Sequence, residues 1–357
     1  MQQKAAKNQP NKQKSKLPKR IVILHSDVKR EYFPTEAQYI TEKDADQDAA
    51  LIAGYLQQLG IATRLLAGNS DLPAMLRKFK PQIVINLVDS VKGDESRAAD
   101  IPGLLELLEI PYTGAGVLGL SLDTNKFLVM KLLQQGGVPV PHFQLFNTPR
   151  DPIEPILRFP LISKLNSVHG SVEITQDAVS EEEKHLRRRL RYLIHTYQQP
   201  VLVEEFISGR EITAILMEGK KKRVYQAEKI FTQPRGKYTF LTFEDQWLSA
   251  PQAAFHYAAY EDPLLADYVK KAFNAVKMNG YGKFDIRLDH SGRYYFIDTN
   301  CNPAFGPKEL DVALSVILDM YGISFYKILM QLIKNAARDS LKKNQPAATI
   351  IHSAAPG

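Results

Sequence analysis

The chain has 357 residues, of which 44% are hydrophobic and 24% are charged, a composition typical of a globular protein with two or three domains. No run of about 18 apolar residues occurs, so we expect no membrane span. The single cysteine, Cys301, excludes an internal disulfide framework and a multi-cysteine metal site. Because no signal-peptide pattern is present, a reducing cytoplasm is the expected location.

The formal net charge of +7 lies at the start of the chain. The first 20 residues carry seven lysines and arginines and no acidic residue, so the remainder sums to zero. A segment rich in Lys, Gln and Asn predicts a disordered basic tail over residues 1–19. Such a tail either contacts nucleic acid or anionic lipid weakly, or is solvated and has no specific partner.

Short apolar runs and helical patterns alternate over residues 20–118. Residues 20–26, 62–68 and 81–88 predict strands, whereas residues 44–60 and 71–79 predict helices. This β-α-β-α-β order predicts an α/β domain with a parallel sheet covered by helices.

The central part of the chain mixes helices and strands. Residues 123–137 predict a helix with Asp123 or Thr124 as its N-cap. Residues 159–175 predict a strand, a turn and a second strand, and residues 200–216 predict two strands about a Ser-Gly turn. After a further helix beyond Gly306, residues 336–357 are expected to form a flexible tail.

The stretch KFDIRLDHSGRYYFIDTNCNPAFG, residues 283–306, predicts a hairpin. Strict alternation would place Asp298 and Asn300 on the same face as Tyr294 and Phe296.

Two aspartates face the same way if the hairpin loop has an even number of residues, as a type I turn at 289–292 would give. A bulge at Gly292 would break that count. With the even loop, Asp285, Asp298 and Asn300 would offer the hard oxygen ligands that Mg²⁺ prefers. The alternative is a polar hairpin surface that faces solvent.

Two lysines have positions suited to phosphate binding. Lys126 lies in the first turn of a predicted helix, and Lys164 lies in a strand. Each could serve as a point charge for phosphate, with residues 168–171 as a covering loop. Each could equally be an ordinary surface lysine.

Three glutamates mark the stretch LVEEFISGRE: Glu204, Glu205 and Glu211. A carboxylate at a strand end can accept hydrogen bonds from ribose hydroxyls, and backbone groups can read adenine. The alternative is that these are solvated acids beside Arg210.

The chain resembles the ATP-grasp superfamily and, within it, the D-alanine–D-alanine ligases, over about residues 81–335. The resemblance is carried by four stretches in the family's order: residues 103–141, FPLISKLNSVHGSVEI, VLVEEFISGREI and residues 283–306. It implies a mixed α/β (α+β) ATP-grasp fold with three domains. These are a Rossmann-like parallel-sheet domain at 20–118, a central subdomain at 119–200 and a C-terminal subdomain at 201–335.

The resemblance also assigns roles to single residues. Lys126 and Lys164 correspond to the two nucleotide-phosphate lysines, and Glu211 to the ribose acceptor. The adenine hinge corresponds to Glu204, Glu205, Phe206 and Ile207. Asp285, Asp298 and Asn300 match the ligands of Mg²⁺, which Mn²⁺ could replace. Lys283 stands where the ligases have the catalytic arginine that stabilises the oxyanion.

The function implied is an ATP- and Mg-dependent carboxylate–amine ligase that acts through an acyl phosphate, as in the synthesis of peptidoglycan precursors. Small amino acids or peptides would be its substrates, and a homodimer its assembly. The alternative is a nucleotide-binding ATP-grasp protein with an altered substrate or without ligase activity.

The departures from the family pattern concern the acceptor side. Ala304 replaces an oxyanion-hole glycine, His169 and Gly170 replace Gly and Ser in the phosphate loop, and Gln246 replaces a lysine before Trp247. The N-terminal signature that holds the first amine is missing. This pattern predicts that nucleotide binding persists while the acceptor chemistry has changed.

Overall fold

The computed structural model describes residues 17–232, 236–248 and 254–343, with side chains described up to residue 339. Most of the predicted basic tail therefore lies outside the described residues, as do residues 344–357. The described strands are β1 (Arg20–His25), β2 (Ala62–Ala67), β3 (Ile83–Leu87), β4 (Phe143–Phe146), β5 (Leu161–Leu165), β6 (Val179–Ser180), β7 (Val201–Glu205), β8 (Gly209–Met217), β9 (Arg223–Phe231), β10 (Phe255–Tyr260), β11 (Tyr281–Asp289) and β12 (Tyr294–Asn300).

Most of the described helices connect these strands, and the last two follow β12. They are α1 (Glu36–Glu42), α2 (Ala45–Gln58), α3 (Leu72–Phe79), α4 (Asp100–Leu107), α5 (Val117–Asp123), α6 (Lys126–Gln135), α7 (Glu183–Tyr197), α8 (Phe243–Trp247), α9 (Pro263–Ala275), α10 (Ala313–Met320) and α11 (Phe325–Lys343).

The first sheet has the order β2-β1-β3, and both of its pairings are parallel. Apolar side chains of β1 alternate between two cores. Ile21 and Ile23 pack with α2, α10 and α11, whereas Val22 and Leu24 pack with α3 and α4. Helices therefore cover both faces, which confirms the predicted parallel α/β architecture.

The second sheet is antiparallel and has the order β4-β7-β5-β6. Its members correct two predictions. The strand expected within residues 166–175 is absent from the described structure there, because the chain turns and bends and pairs with β5 only later, through β6. Strand β7 belongs to this sheet, so the boundary predicted at residue 200 does not coincide with the change of sheet.

The third sheet is antiparallel and has the order β10-β9-β8-β11-β12. Strands β7 and β8 were expected to flank a Ser-Gly turn, and they do follow each other, but they lie in different sheets and are not a hairpin. Helix α9 and helix α6 share a core with the inner face of this sheet, where Phe273, Phe284 and Phe296 are buried.

Two predicted helix boundaries differ from the structure. The N-cap of α6 is Asn125, whose side chain accepts a hydrogen bond from the Leu128 N–H, and Asp123 instead ends α5. At the other end of the chain, α11 continues to Lys343, so residues 336–343 are helical and not part of a flexible tail. Leu332, Ile333 and Ala336 are buried against the N-terminal sheet, which explains why this helix persists.

Within the part of the chain that is described, no single helix is long and apolar enough to cross a membrane. One pair of helices, Ala313–Met320 and Phe325–Asp339, reaches that length and composition only when joined, and it is bent by 112°.

Candidate functional site

The hairpin β11–β12 turns through a loop with an odd residue count. The Gly292 N–H donates to the Asp289 carbonyl and the Asp289 N–H donates to the Arg293 carbonyl, so residues 290–292 form the connection. Gly292 has a φ of 81°, as expected of a type I turn followed by a left-handed residue. Of the two alternatives left open for this loop, the structure has the bulge at Gly292 with its odd count, and not the even count of a type I turn alone.

A β-bulge further along β12 restores the alignment of the two acids. Ile286 pairs with Phe296, but Asp285 pairs with Asp298, because Ile297 is an extra residue in the ladder. Such a bulge shifts every later side chain to the other face. Asp298 and Asn300 therefore line the cavity, whereas Phe296 faces the core, contrary to the prediction that they share a face.

Asp285 lies at the centre of a charged cluster. It accepts a hydrogen bond from Thr213 Oγ1 at 2.9 Å and forms ion pairs with Lys283 and, at 3.5 Å, with Lys229. Although burial opposes its ionisation, these two lysines hold the pKa of Asp285 well below its usual range.

The three predicted metal ligands, Asp285, Asp298 and Asn300, lie on the cavity side of β11 and β12. Lys283 pairs with Asn300 in the strand register, and its Nζ lies 3.2 Å from Asn300 Oδ1 while also contacting Asp285. The Lys283 ammonium therefore contacts two of the three predicted metal ligands, Asp285 and Asn300. Among the described residues no group of three His, Cys, Asp or Glu could hold a metal ion. A metal bound by Asp285, Asp298 and Asn300 would need further oxygens from a nucleotide or water.

Lys164 and Glu204 form a buried pair between β5 and β7. Lys164 Nζ donates to Glu204 Oε2 at 2.7 Å and to the Ile297 carbonyl at 2.8 Å. The same bulge residue thus connects the second sheet to the third. Glu204 Oε1 is buried and has no hydrogen-bond partner among the described residues, and burial raises the pKa of Glu204.

Lys126 is the first residue of α6 and reaches the loop after β5. Its Nζ donates to the Val168 carbonyl at 2.9 Å. The helix start is fixed by Asn166, whose side chain accepts from the Phe127 N–H. Lys126 and Lys164 line the same cavity, so the structure places both predicted phosphate lysines on one cleft.

Residues 205–207 connect the second and third sheets at the edge of this cleft. Glu205 also lines the cavity, and its carboxylate accepts from the Arg158 N–H and contacts His142 Nδ1, both at 3.0 Å. The Phe206 N–H donates to the Pro160 carbonyl. For the Ile207 N–H, no acceptor is found among the described residues.

Glu211 is buried between two cations. It contacts Lys229 Nζ at 2.6 Å and Arg287 Nη1 at 3.1 Å. Burial opposes ionisation here, but Lys229 and Arg287 outweigh it and lower the pKa of Glu211. Lys229 was missed in the sequence, although a lysine within the strand VYQAEKIF was a signal that could have been used.

These residues surround one cavity of about 850 Å³ between the sheets. The second and third sheets supply the lysines and the hairpin acids, and the N-terminal domain closes the third side. Loop 168–171 lies over the cavity and is held by α8, where Trp247 Nε1 donates to the Gly170 carbonyl at 2.8 Å and Gln246 accepts from Ser171.

Four acidic residues line the N-terminal side of the cavity, and this acidic cluster was not predicted. It consists of Glu42, Asp89, Glu95 and Asp123, all of which line the cavity. Asp123 Oδ1 accepts from the Cys301 N–H at 3.1 Å, next to the metal-ligand position Asn300. Cys301 is fully buried, and burial raises the pKa of its thiol well above the usual value.

A family model described as the D-ala D-ala ligase C-terminus matches residues 132–334. The uncharacterized protein y4sG of Sinorhizobium fredii is 29% identical over 264 residues, which are 71% of this chain and 77% of that protein. The D-alanine–D-alanine ligase of Gloeobacter violaceus is 26% identical over 305 residues, 81% of this chain and 94% of that enzyme.

Solved structures show the same architecture. The crystal structure of D-alanine–D-alanine ligase from Bacillus anthracis complexed with ATP has a TM-score of 0.70 to this chain at 18% identity. The superposition covers 91% of this chain and 99% of that one. At this identity the likeness establishes a shared fold.

Proposed function

The chain belongs to the D-alanine–D-alanine ligase family, and from that membership we propose that it is an ATP-dependent ligase that joins a carboxylate to an amine. The supporting observation is that Lys126, Lys164, Asp285 and Asp298 line one cavity. Two cations and two carboxylates around one cleft suit a nucleotide triphosphate and its metal.

The nucleotide would enter between the second and third sheets. Its base would lie against residues 204–207, where the Ile207 N–H and the unpartnered Glu204 Oε1 offer one donor and one acceptor. Its phosphates would extend toward Lys164 and Lys126. Glu211 would accept from the ribose while it stays ionised, because its two cationic partners leave lone pairs available.

Asp285, Asp298 and Asn300 would hold Mg²⁺, which supplies charge neutralisation at the phosphates when it is bound. The chain's own residues then position the reactants. The substrate carboxylate attacks the γ-phosphate and ADP leaves, which gives an acyl phosphate. An amine attacks that carbonyl carbon, phosphate leaves, and the amide remains. Catalysis of this kind rests on orientation and electrostatics and needs no protein nucleophile.

Lys283 would serve the second step. Its ammonium lies on the cavity face of β11, next to Asp285 and Asn300. Burial opposes its charge, but Asp285 outweighs burial and raises the pKa of Lys283. The side chain therefore stays cationic and can stabilise a developing oxyanion, although a lysine lacks the planar fork of an arginine.

The test is a screen for release of ADP and phosphate with ATP, Mg²⁺ and pairs of D- and L-amino acids and dipeptides, starting with D-alanine. We expect release that depends on a particular pair, with an amide product in equal amount by mass spectrometry. Tight ATP binding without stimulation by any pair would instead indicate a nucleotide-binding protein that lacks ligase activity. Release of pyrophosphate in place of phosphate would contradict the acyl-phosphate route.

A further inference from the structure

His169 belongs to loop 168–171 and is fixed by a residue of the N-terminal domain. Its Nδ1 lies 2.7 Å from Glu95 Oε2, and its backbone N–H also donates to the Glu95 carboxylate at 3.0 Å. A carboxylate that accepts from Nδ1–H fixes the neutral imidazole as the tautomer whose lone pair is on Nε2. The ring is therefore held in one orientation.

The other ring nitrogen has no hydrogen-bond partner. His169 Nε2 is buried and unpaired among the described residues. Asp123 Oδ2 lies 3.8 Å from this nitrogen. Two acceptors at that spacing can each reach one ammonium nitrogen placed about 2.9 Å from both, an ordinary hydrogen-bond length.

This pair of acceptors lies beside the proposed reaction centre. His169 follows Val168, whose carbonyl accepts from Lys126 Nζ, so a phosphate lysine is adjacent. Asp123 accepts from the N–H of Cys301, the residue after Asn300. All the side chains involved here except Cys301 line the same cavity. An amine bound between His169 and Asp123 would therefore lie close to an acyl phosphate bound near Lys126.

Several charged groups surround the imidazole. Burial and Lys126 lower the pKa of His169, but Glu95 and Asp123 together outweigh them and raise it above its ordinary value. The groups that act on the ring, or on Glu95 beside it, come from three places: Glu42 on α1, Asp89 and Glu95 after β3, and Asp123 and Lys126 at the junction of α5 and α6.

We propose that His169 is the general base for the amine substrate, with Glu95 positioning its ring and Asp123 holding the ammonium. The proposal rests on the ligase function above. In the second step the amine nitrogen forms a bond to the acyl carbon, and the bond from that carbon to the phosphate oxygen breaks. The electron pair leaves with phosphate. Of the two protons that the ammonium loses, the first passes to His169 Nε2 before the attack and then to water, and the second passes from the tetrahedral adduct to the departing phosphate.

The test compares two nucleophiles in the full chain with ATP, Mg²⁺ and D-alanine as the carboxylate. D-Alanine as the amine must lose a proton before it attacks, whereas hydroxylamine is largely neutral at pH 7. In His169→Asn we expect dipeptide formation to fall about 100-fold or more, and the hydroxamate-to-dipeptide ratio to rise at least tenfold. His195→Asn, on the exposed side of α7, is the matched control and should keep the wild-type ratio.

A second variant tests the positioning role of Glu95. In Glu95→Gln the pKa of His169 should fall, so the acid limb of the pH profile for dipeptide formation should move to lower pH than in the wild type. An unmoved limb would overturn the proposal.

The remaining outcomes separate the two proposals. If His169→Asn lowers hydroxamate and dipeptide equally, the histidine only anchors the loop and the base assignment is wrong. If the wild-type chain makes neither product and releases no ADP, the ligase proposal fails for this substrate and the base assignment fails with it.

Discussion

Glu42 is a carboxylate of the cleft that is buried without a cationic partner among the described residues. It is 7% exposed and accepts a hydrogen bond from Ser90 Oγ at 2.8 Å. Burial, with a smaller contribution from Glu95, raises its pKa from 4.5 to about 7. The folded state therefore favours the protonated form of this side chain.

This shift predicts a pH-dependent cost to folding. Between about pH 4.5 and pH 7 the folded state binds more protons at Glu42 than the unfolded state, so stability falls as pH rises through that window and stays lowered above it. Glu42→Gln should raise the free energy of unfolding by roughly 2 to 3 kcal/mol at pH 8 and change it little near pH 4. Urea titrations at the two pH values measure this.

The control is Glu31→Gln, because Glu31 is exposed. Its effect should be small and equal at both pH values. An equal gain from Glu42→Gln at pH 4 and pH 8 would contradict the assignment of a raised pKa, since a packing effect does not depend on protonation.

The sequence allowed only some of the cavity residues and their contacts to be predicted. The lysines and hairpin acids fall into recognisable stretches, and the structure places them on one cavity. The contact of His169 with Glu95 joins segments 74 residues apart in the chain. No spacing rule links such residues, so this contact could not be predicted. Glu211 and Lys229 lie opposite each other in the neighbouring strands β8 and β9, so their contact would have followed from predicting β9.

At the level of elements, β12 shows how a local irregularity decides a site. Alternation correctly predicted two strands, but the odd hairpin loop and the bulge at Ile297 each shift the register by one. The two shifts compensate, so Asp285 still faces Asp298. The helix α9 and the strands β9 and β10 were not predicted, although Asp262 followed by Pro263 is a helix-start signal.

The crossing from the second sheet to the third depends on Gly209. Its φ is 144°, and a Cβ at this position would overlap the Leu288 carbonyl in the neighbouring strand. Its own carbonyl accepts from Arg287 Nη2, and Arg287 also holds Ile207 and Glu211. Gly209 thus allows the backbones of β8 and β11 to approach closely, next to the predicted adenine hinge at residues 204–207.

Gly209→Ala should therefore lower the free energy of unfolding by about 2 kcal/mol or more, and it should weaken ATP binding by displacing Arg287. Chemical denaturation and a nucleotide titration measure the two effects. Gly54→Ala in α2 is the matched change, because its new Cβ meets nothing within 4 Å. Gly54→Ala should raise the free energy of unfolding by about 0.5–1 kcal/mol. A similar increase in Gly209→Ala would contradict the close contact between Gly209 and the Leu288 carbonyl.

For the whole molecule, three sheets meet at one cleft, so a ligand there should hold them together. With Mg²⁺ and a non-hydrolysable ATP analogue at 100 times its Kd, we expect a stabilisation of about 2.7 kcal/mol. Hydrogen exchange should slow in segments from both sides of the cleft, at residues 161–172, 204–211 and 283–300. Slowing on one side alone would contradict binding between the second and third sheets.

Lys164→Met should remove this nucleotide-dependent slowing, because it deletes a buried cation of the cleft. The change leaves Glu204 buried and unpaired, which can cost about 3–5 kcal/mol in itself. Lys164→Met combined with Glu204→Gln avoids that charge, so loss of binding can be separated from loss of folding. Lys78→Ala on the exposed side of α3 should respond to nucleotide as the wild type does.

The placement of α11 against the first sheet has a consequence for how the protein is made. Ile21 and Ile23 of β1 share a core with Leu329 and Leu332, yet β1 is complete at His25 and α11 begins only at Phe325. At ribosomal rates of about 5–20 residues per second, roughly 15 to 60 s separate their synthesis. During that interval α2 is the one helix of this described core that has been made before the third sheet, α10 and α11, so the nascent N-terminal domain exposes apolar surface until those later segments are synthesised.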